Sequence, residues 1–329
     1  MLQYIMRRIV IMIPTLIAIS MISFLIIQLP PGDFLTSVIA RLEQQGVVLD
    51  KAAAASLRAR YGLGQPMHIQ YFKWITGILQ GDFGQSFFWQ REVSGLIWDR
   101  LGYTLVISLG TLLFTWIIAF PIGILSAVKQ YSLLDYVATF FGFVGMAIPG
   151  FLLALVLMWI SFAYLGVSVG GLFSPEMEEA PWSLVKFIDL LSHLWIPMVI
   201  LGLSGTASLI RIMRANLLDE LHKPYVVFAR ARGVSETKLL LKYPVRVALN
   251  PFVSTLGWML PTLFSGSLIV ATILALPTTG PLFLEALRSQ DMYLAGAFVL
   301  MLSALTIVGT LISDILLAWL DPRVRYERG

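Results

Sequence analysis

The 329-residue chain is 58% hydrophobic and only 13% charged, above the ~45–50% apolar content of ordinary soluble domains, which excludes a soluble globular protein and leaves a polytopic membrane protein. It contains no cysteine, so disulfides, thiolate nucleophiles and cysteine-held metal or iron–sulfur centres are excluded. The net charge of +4 is not gathered into a basic stripe interleaved with aromatics, so no nucleic-acid partner is expected.

Residues 9–28 supply about twenty apolar positions, enough for a helix to cross a ~30 Å hydrocarbon core. Arg7 and Arg8 precede this run, which is too long for a signal-peptide core and lacks a small-residue cleavage site, so it is expected to persist as a first span, bent near Pro14. Pro30, Pro31, Gly32 and Asp33 end it, and residues 29–102 form a polar segment. Within that segment Asp50 can cap an alanine-rich helix over 51–61 that stops at Gly62. A second amphipathic stretch puts Ile69, Phe72, Ile75 and Leu79 on one face, with Tyr71, Trp74, Trp89 and Trp98 as interfacial anchors.

Five further apolar runs, about 103–127, 135–165, 193–215, 251–275 and 291–319, make six expected spans, which place both termini on one side. The segments on that side carry fourteen basic and six acidic residues, against nine basic and twelve acidic on the other. The positive-inside rule makes both termini cytoplasmic and 29–102 extracytoplasmic. Gly142, Gly145, Gly150, Gly202, Gly205, Gly257 and Gly266 fall within spans, where small residues let helices approach closely in lipid.

Residues 225–257 are the longest charged run between strongly apolar spans. A short helix from Tyr225 to Arg232 is expected to stop at Gly233, since glycine accepts a left-handed backbone without a Cβ clash. A second helix starts behind Ser235, a candidate cap, with Glu236 at its positive end and Lys238, Lys242 and Arg246 beyond.

Tyr225, Val226, Ala229, Arg230, Ala231, Arg232 and Gly233 resemble the coupling-loop signature of permeases of ATP-binding-cassette importers, in the form used by the dipeptide, oligopeptide and nickel branch. Of the general pattern Glu-Ala-Ala, three residues, Gly, positions Ala229 and Gly233 fit; Val227 and Phe228 stand at the Glu and first Ala, and Asn250-Pro251 stand for a later Leu-Pro. The likeness extends through Pro31-Gly32-Asp33, Tyr61-Gly62-Leu63, Gln65-Pro66, Gln70-Tyr71, Gly81-Asp82-Phe83-Gly84 with Ser86, Arg100, Pro149, Arg211, Arg214, Asp314 and Asp321-Pro322-Arg323.

The resemblance implies an all-α type I importer permease with six transmembrane helices, a single domain over 1–329 whose coupling loop spans 216–250. It implies a bacterial or archaeal cytoplasmic (inner) membrane location with surrounding lipid, and as partners a second homologous permease, two ATP-binding subunits and an extracytoplasmic solute-binding protein. The helix at Tyr225 to Arg232 would then sit in a groove of the ATPase, with Ala229 and Ala231 permitting close approach, Arg230 and Arg232 reaching acidic groups and Gly233 turning the chain.

The chain has no phosphate-cradling loop, because no Gly-Lys pair occurs in it. No cofactor is expected here, and ATP-Mg belongs to the partner subunits. Gly202-Leu203-Ser204-Gly205 looks like an intramembrane serine-protease nucleophile, but His68, His193 and His222 offer no base at matching depth, so no catalytic residue is expected. The histidines are too scattered for a metal site. Span centres lack ionisable groups, which disfavours the other alternative, an ion-coupled carrier. Asp314, near a span end, is expected to pair with Arg211 or Arg214. Relatives in the dipeptide branch often place Glu where this chain has Ala271 before Thr272, which leaves neutral oligosaccharides beside oligopeptides as solutes. Ser265, Ser267, Thr272 and Ser303 are the candidate pathway hydroxyls; the alternative is that they bond to carbonyls one turn back in their own helices.

Overall fold

The computed structural model describes residues 2–28, 65–86, 88–165, 170–250, 252–253 and 268–320. In chain order these form α1 (Leu2–Gln28), α2 (Met67–Leu79), a minimal hairpin β1 (Gln85–Ser86) and β2 (Arg91–Glu92), α3 (Val93–Val128), α4 (Leu133–Ala147) and α5 (Gly150–Ile160) with a π turn at Ser161–Leu165. There follow α6 (Leu184–Leu221), α7 (Pro224–Ala231), α8 (Glu236–Lys242), α9 (Pro244–Ala248), α10 (Leu268–Ile273), α11 (Thr279–Arg288) and α12 (Met292–Leu320). The strands pair antiparallel, Gln85 opposite Glu92 and Ser86 opposite Arg91.

Among the described residues four helices, within α1, α3, α6 and α12, are long and apolar enough to cross a membrane, or five spans if the bent pair α4–α5 counts as one. That pair stands where a single span is expected over 135–165. It turns by 100° at Ile148-Pro149. Pro149 has no N–H to donate and clashes with the carbonyl four residues back, and Ile148 before it is extended, at φ −84° and ψ 119°. The expected helix over 51–61 and most of the expected span over 251–275 lie outside the described residues.

Two helices start earlier than their apolar runs. Val93, Leu96 and Ile97 are buried at helical spacing, so α3 gains core contacts for a full turn and more before residue 103. Helix α6 opens at Leu184, where the Ser183 hydroxyl accepts the Lys186 N–H at 3.2 Å, supplying one of the hydrogen bonds a helix start lacks.

The chain divides into two compact units. One comprises Met1–Ile9, Tyr103–Pro281 and Leu305–Gly329, the other Val10–Gly102 and Leu282–Ala304. The first holds two apolar clusters: Ile107, Leu190, Leu194, Ile200 and Val270 in one, and Ala119, Ile210, Met213, Leu217, Val245 and Phe252 in the other. Close approach of α3 and α6 depends on Gly123, where an added Cβ would lie 2.7 Å from the Met213 Cβ. In the second unit Phe24, Trp74, Leu96, Tyr293 and Phe298 share a core. Trp74, expected as an interfacial anchor, is 8% exposed there, its ring packed on Phe24 with centroids 5.7 Å apart.

The ion pairs also differ from expectation. Asp314 is held by Arg8, whose Nη2 donates to Oδ1 at 3.2 Å, and not by Arg211 or Arg214. Arg214 instead grips Asp135 through Nε at 2.7 Å and Nη2 at 2.8 Å, and Asp135 also accepts from the Ser126 hydroxyl and from the Tyr131 N–H at 3.0 Å. The Arg211 guanidinium lies 5.7 Å from the Phe143 ring centre.

Candidate functional site

The loop after α6 folds as a preformed helical element. Lys223 enters it extended and Pro224 takes the first helical position of α7, where its missing N–H is not needed and its fixed φ suits the helix. At the other end Gly233 has φ +76°. Its N–H donates to the Arg230 carbonyl at 3.0 Å and the Val234 N–H to the Ala229 carbonyl at 3.4 Å, the paired pattern of a Schellman cap, in which the apolar residue past the glycine touches the last turn.

Helical period then sorts the side chains. Val226 and Ala229 face inward and make a small core with Leu239, beside Val234 and Tyr243. The opposite face carries Val227, 53% exposed, and Phe228, 64% exposed, with Ala231 one turn on and also exposed. Of the residues singled out from sequence, Ala229 therefore contacts this chain's own Leu239 cluster, whereas Ala231, Arg230, Arg232 and Gly233 are on the outside. Val227 and Phe228, noted in sequence only as departures from the general signature, supply the apolar bulk of the outer face. Their spacings of four and three residues to Ala231, with Val226 and Ala229 on the reverse, were the available signal.

Two polar contacts hold α7 at its ends. The Tyr225 hydroxyl donates to the Glu220 carboxylate at the end of α6; burial and that carboxylate push the phenol above its ordinary range, so it stays a donor. Arg230 donates to Glu236 through Nε at 2.6 Å and Nη2 at 3.2 Å. This hydrogen-bonded pairing holds the Glu236 carboxyl below its usual value and raises Arg230. Glu236 is thus engaged with α7, while the Ser235 side chain, expected to cap α8, makes no cap hydrogen bond. The Arg232 guanidinium lies 5.9 Å from the Phe228 ring centre. Pro244, Val245 and Ala248 of α9 are buried, and Val245 and Ala248 belong to the cluster around Met213 and Leu217 of α6, so the element is anchored to a long apolar helix.

Among the pathway candidates, the Thr272 hydroxyl donates to the Leu268 carbonyl at 2.8 Å and the Ser303 hydroxyl to the Val299 carbonyl at 2.7 Å, each one turn back in its own helix. Ser265 and Ser267 lie outside the described residues. The serine-protease likeness has no support in geometry. An added Cβ on Gly202 would meet Phe114 and Thr115 at 3.0 Å, which makes Gly202 a packing glycine, and the His193 ring nitrogen is within 2.9 Å of the Asp189 carbonyl, eleven residues or roughly 16 Å along the helix from Ser204.

Residues 119–326 match the model of the family described as binding-protein-dependent transport system inner membrane component, and residues 1–108 match its N-terminal companion. The chain is 35% identical to the oligopeptide transport system permease protein AppB of Bacillus subtilis, over 98% of this chain and 99% of that one. It is 32% identical to the glutathione transport system permease protein GsiC of Salmonella choleraesuis, over 99% and 100% of the two chains. Against the inner membrane ABC transporter permease protein YejB of Escherichia coli O157:H7 the identity is 31%, over 98% and 99%.

Proposed function

The chain belongs to the family of binding-protein-dependent transport-system inner-membrane components, and from that premise we propose that it forms one half of the transmembrane pathway of an ATP-driven importer of oligopeptide-like solutes. It is a multi-pass inner-membrane protein and a permease subunit, not an enzyme. Six spans, both termini in the cytoplasm, residues 29–102 outside and the coupling loop over 216–250 inside complete the reading. A second homologous permease, two ATP-binding subunits that carry ATP-Mg, and an extracytoplasmic binding protein are its partners.

The observation that carries the mechanism is the preformed α7–α8 element. A helix closed at both ends and braced by Arg230–Glu236 transmits a push as a rigid body, and its outward face of Val227, Phe228 and Ala231 offers an apolar knob to a groove on the ATPase. Arg230 and Arg232 flank that knob. Closure of the two ATPases would displace α7, and α9, packed on α6, would pass the displacement into the membrane helices, in line with alternating access by rigid-body rocking.

Peptides are favoured over oligosaccharides because relatives matched along their whole length are named for oligopeptide and glutathione transport. Ser265, Ser267, Thr272 and Ser303 stay proposed for the pathway as groups able to contact a solute without burying charge, although the protons of Thr272 and Ser303 are engaged one turn back, which leaves their oxygens to act as acceptors.

The test is reconstitution in vesicles of the permease pair with its ATPases, the binding protein outside and ATP inside. Uptake of labelled peptide that requires both ATP and the binding protein is expected. Uptake driven by an ion gradient without the ATPases would overturn the proposal.

A further inference from the structure

Helix α6 buries two of its sides. Gly202 packs on Phe114 and Thr115 of α3, while Leu203 and Ala207 meet Gly145 and Gly142 of α4. A third side stays open. Ser204 and Arg211 are exposed and Ser208 between them is half-buried, at spacings of four and three residues that put all three on one face. Ser204 stands at the middle of the span expected over 193–215, and Arg211 is one turn short of its inner end, roughly 10 Å further along the helix.

The chemistry of this face does not suit lipid. On other membrane helices hydroxyls turn back onto their own backbone: Thr15 donates to the Ile11 carbonyl at 3.2 Å, Ser303 to Val299 at 2.7 Å and Thr310 to Thr306 at 2.8 Å. Ser204 and Ser208 make no hydrogen bond among the described residues. Arg211 has no carboxylate partner among them either, since Arg214 holds Asp135 and Arg8 holds Asp314. Polar groups left unpaired against hydrocarbon are costly, whereas against water they are satisfied, and ionisable groups within spans mark such wet routes.

The direction of the Arg211 side chain separates a route from a lipid headgroup. Its guanidinium lies 5.7 Å from the Phe143 ring centre. Gly142, the neighbour of Phe143, is level with Ala207, four residues back from Arg211, so the charge reaches about one turn toward the middle of the span. An arginine facing lipid extends the other way, toward the nearer surface.

We propose that the Ser204, Ser208 and Arg211 face of α6 lines the solute pathway and that Arg211 binds a carboxylate of the solute. In the importer reading, on which this inference rests, that group is the C-terminal carboxylate of an oligopeptide. A planar guanidinium takes a carboxylate through two parallel N–H donors. The serine hydroxyls can donate to or accept from peptide groups, and Phe143, 56% exposed, walls the site on its apolar side.

Two measurements on the reconstituted permease pair, ATPases and binding protein test this. The first is access of water. The chain has no cysteine, so Ser204→Cys and Ser208→Cys can be probed singly with methanethiosulfonate ethylsulfonate, a charged reagent that reacts in water, during ATP turnover. Labelling of both is expected; labelling of neither, with reaction only toward a lipid-soluble maleimide, overturns the proposal. The second compares uptake of a labelled alanine tetrapeptide with that of its C-terminal amide, each at saturation of the binding protein. The wild type is expected to favour the acid. Arg211→Met should lower uptake of the acid about tenfold, the scale of one hydrogen bond to a charged group, and leave uptake of the amide unchanged, with partial rescue of the acid by Arg211→Lys. If Arg211→Met does not assemble, Arg211→Gln is read by the same ratio of acid to amide. Equal loss of both peptides, or loss of neither, overturns the carboxylate site. Amide uptake that still needs ATP and the binding protein would leave the importer reading standing in that case, whereas uptake that needs neither would remove the importer reading itself.

Discussion

Removing Arg214 should destabilise the protein more than removing Asp135, and the exposures of the pair predict that asymmetry. The Asp135 side chain is 4% exposed and Arg214 27%. In Arg214→Met the carboxylate loses both guanidinium contacts, 2.7 and 2.8 Å long, and stays buried with the Ser126 hydroxyl and the Tyr131 N–H as its donors among the described residues. Leaving one member of a buried pair uncompensated costs ~3–5 kcal/mol, and this site lies toward the lower end because two neutral donors remain. In Asp135→Asn the orphan is the arginine, which reaches water; that loss is roughly 1–2 kcal/mol, near the scale of a charged hydrogen bond partly replaced by solvent. The double variant removes the buried charge together with its partner and should be more stable than Arg214→Met alone. Unfolding by SDS titration from mixed micelles, applied to the wild type and all three variants as a double-mutant cycle, measures the coupling. Additive losses, or an Arg214→Met variant within ~0.5 kcal/mol of wild type, the range of an unimportant surface change, would refute the reasoning.

At the coupling element, Phe228→Ala should leave the permease folded, since the ring is 64% exposed, yet weaken ATPase retention by at least about 2 kcal/mol, as for a buried aromatic anchor at an interface; co-purification across a salt and detergent series checks this. Ala229→Glu should act differently, placing a charge in the Leu239 cluster and lowering the melting temperature of the isolated permease. Gly233→Val should cost ~1–3 kcal/mol of local stability because a branched residue is strained at φ +76°, and faster amide exchange confined to α7 and α8 would report it. The Glu236 carboxyl is depressed by its hydrogen bonds from Arg230; its contribution is therefore present above the ordinary glutamate value of ~4.3 and is lost as pH falls through the lower folded value. Exchange at Val234 and Ser235, corrected for intrinsic rate, should rise over that acidic window in the wild type and lose its pH dependence in Glu236→Gln. Cysteines introduced at Thr76 and Lys238 should be labelled from opposite sides of the membrane, and labelling of both from one side would remove the six-span topology.

Much of this architecture depends on local chemistry and was legible in the linear chain. Apolar runs long enough to span a bilayer must become helices because lipid offers no partner to unpaired backbone groups, and α1, α3, α6 and α12 follow from that alone. Gly233 at a positive φ is a property of a single residue, whereas the break at Pro149 and its 100° angle are absent from the span expected over 135–165: a proline can end a helix, and packing sets where the chain goes next. The tertiary structure alone decided which charges meet. Asp135 and Arg214 are 79 residues apart and Arg8 and Asp314 are 306 apart, so no periodicity links them, and several arginines were equally eligible by composition. It also decided the direction of each face. Ala229 turned toward Leu239, and Trp74 toward Phe24, because burial against a neighbouring element outweighs the preference of an isolated helix, and that neighbour is specified only once the helices have packed.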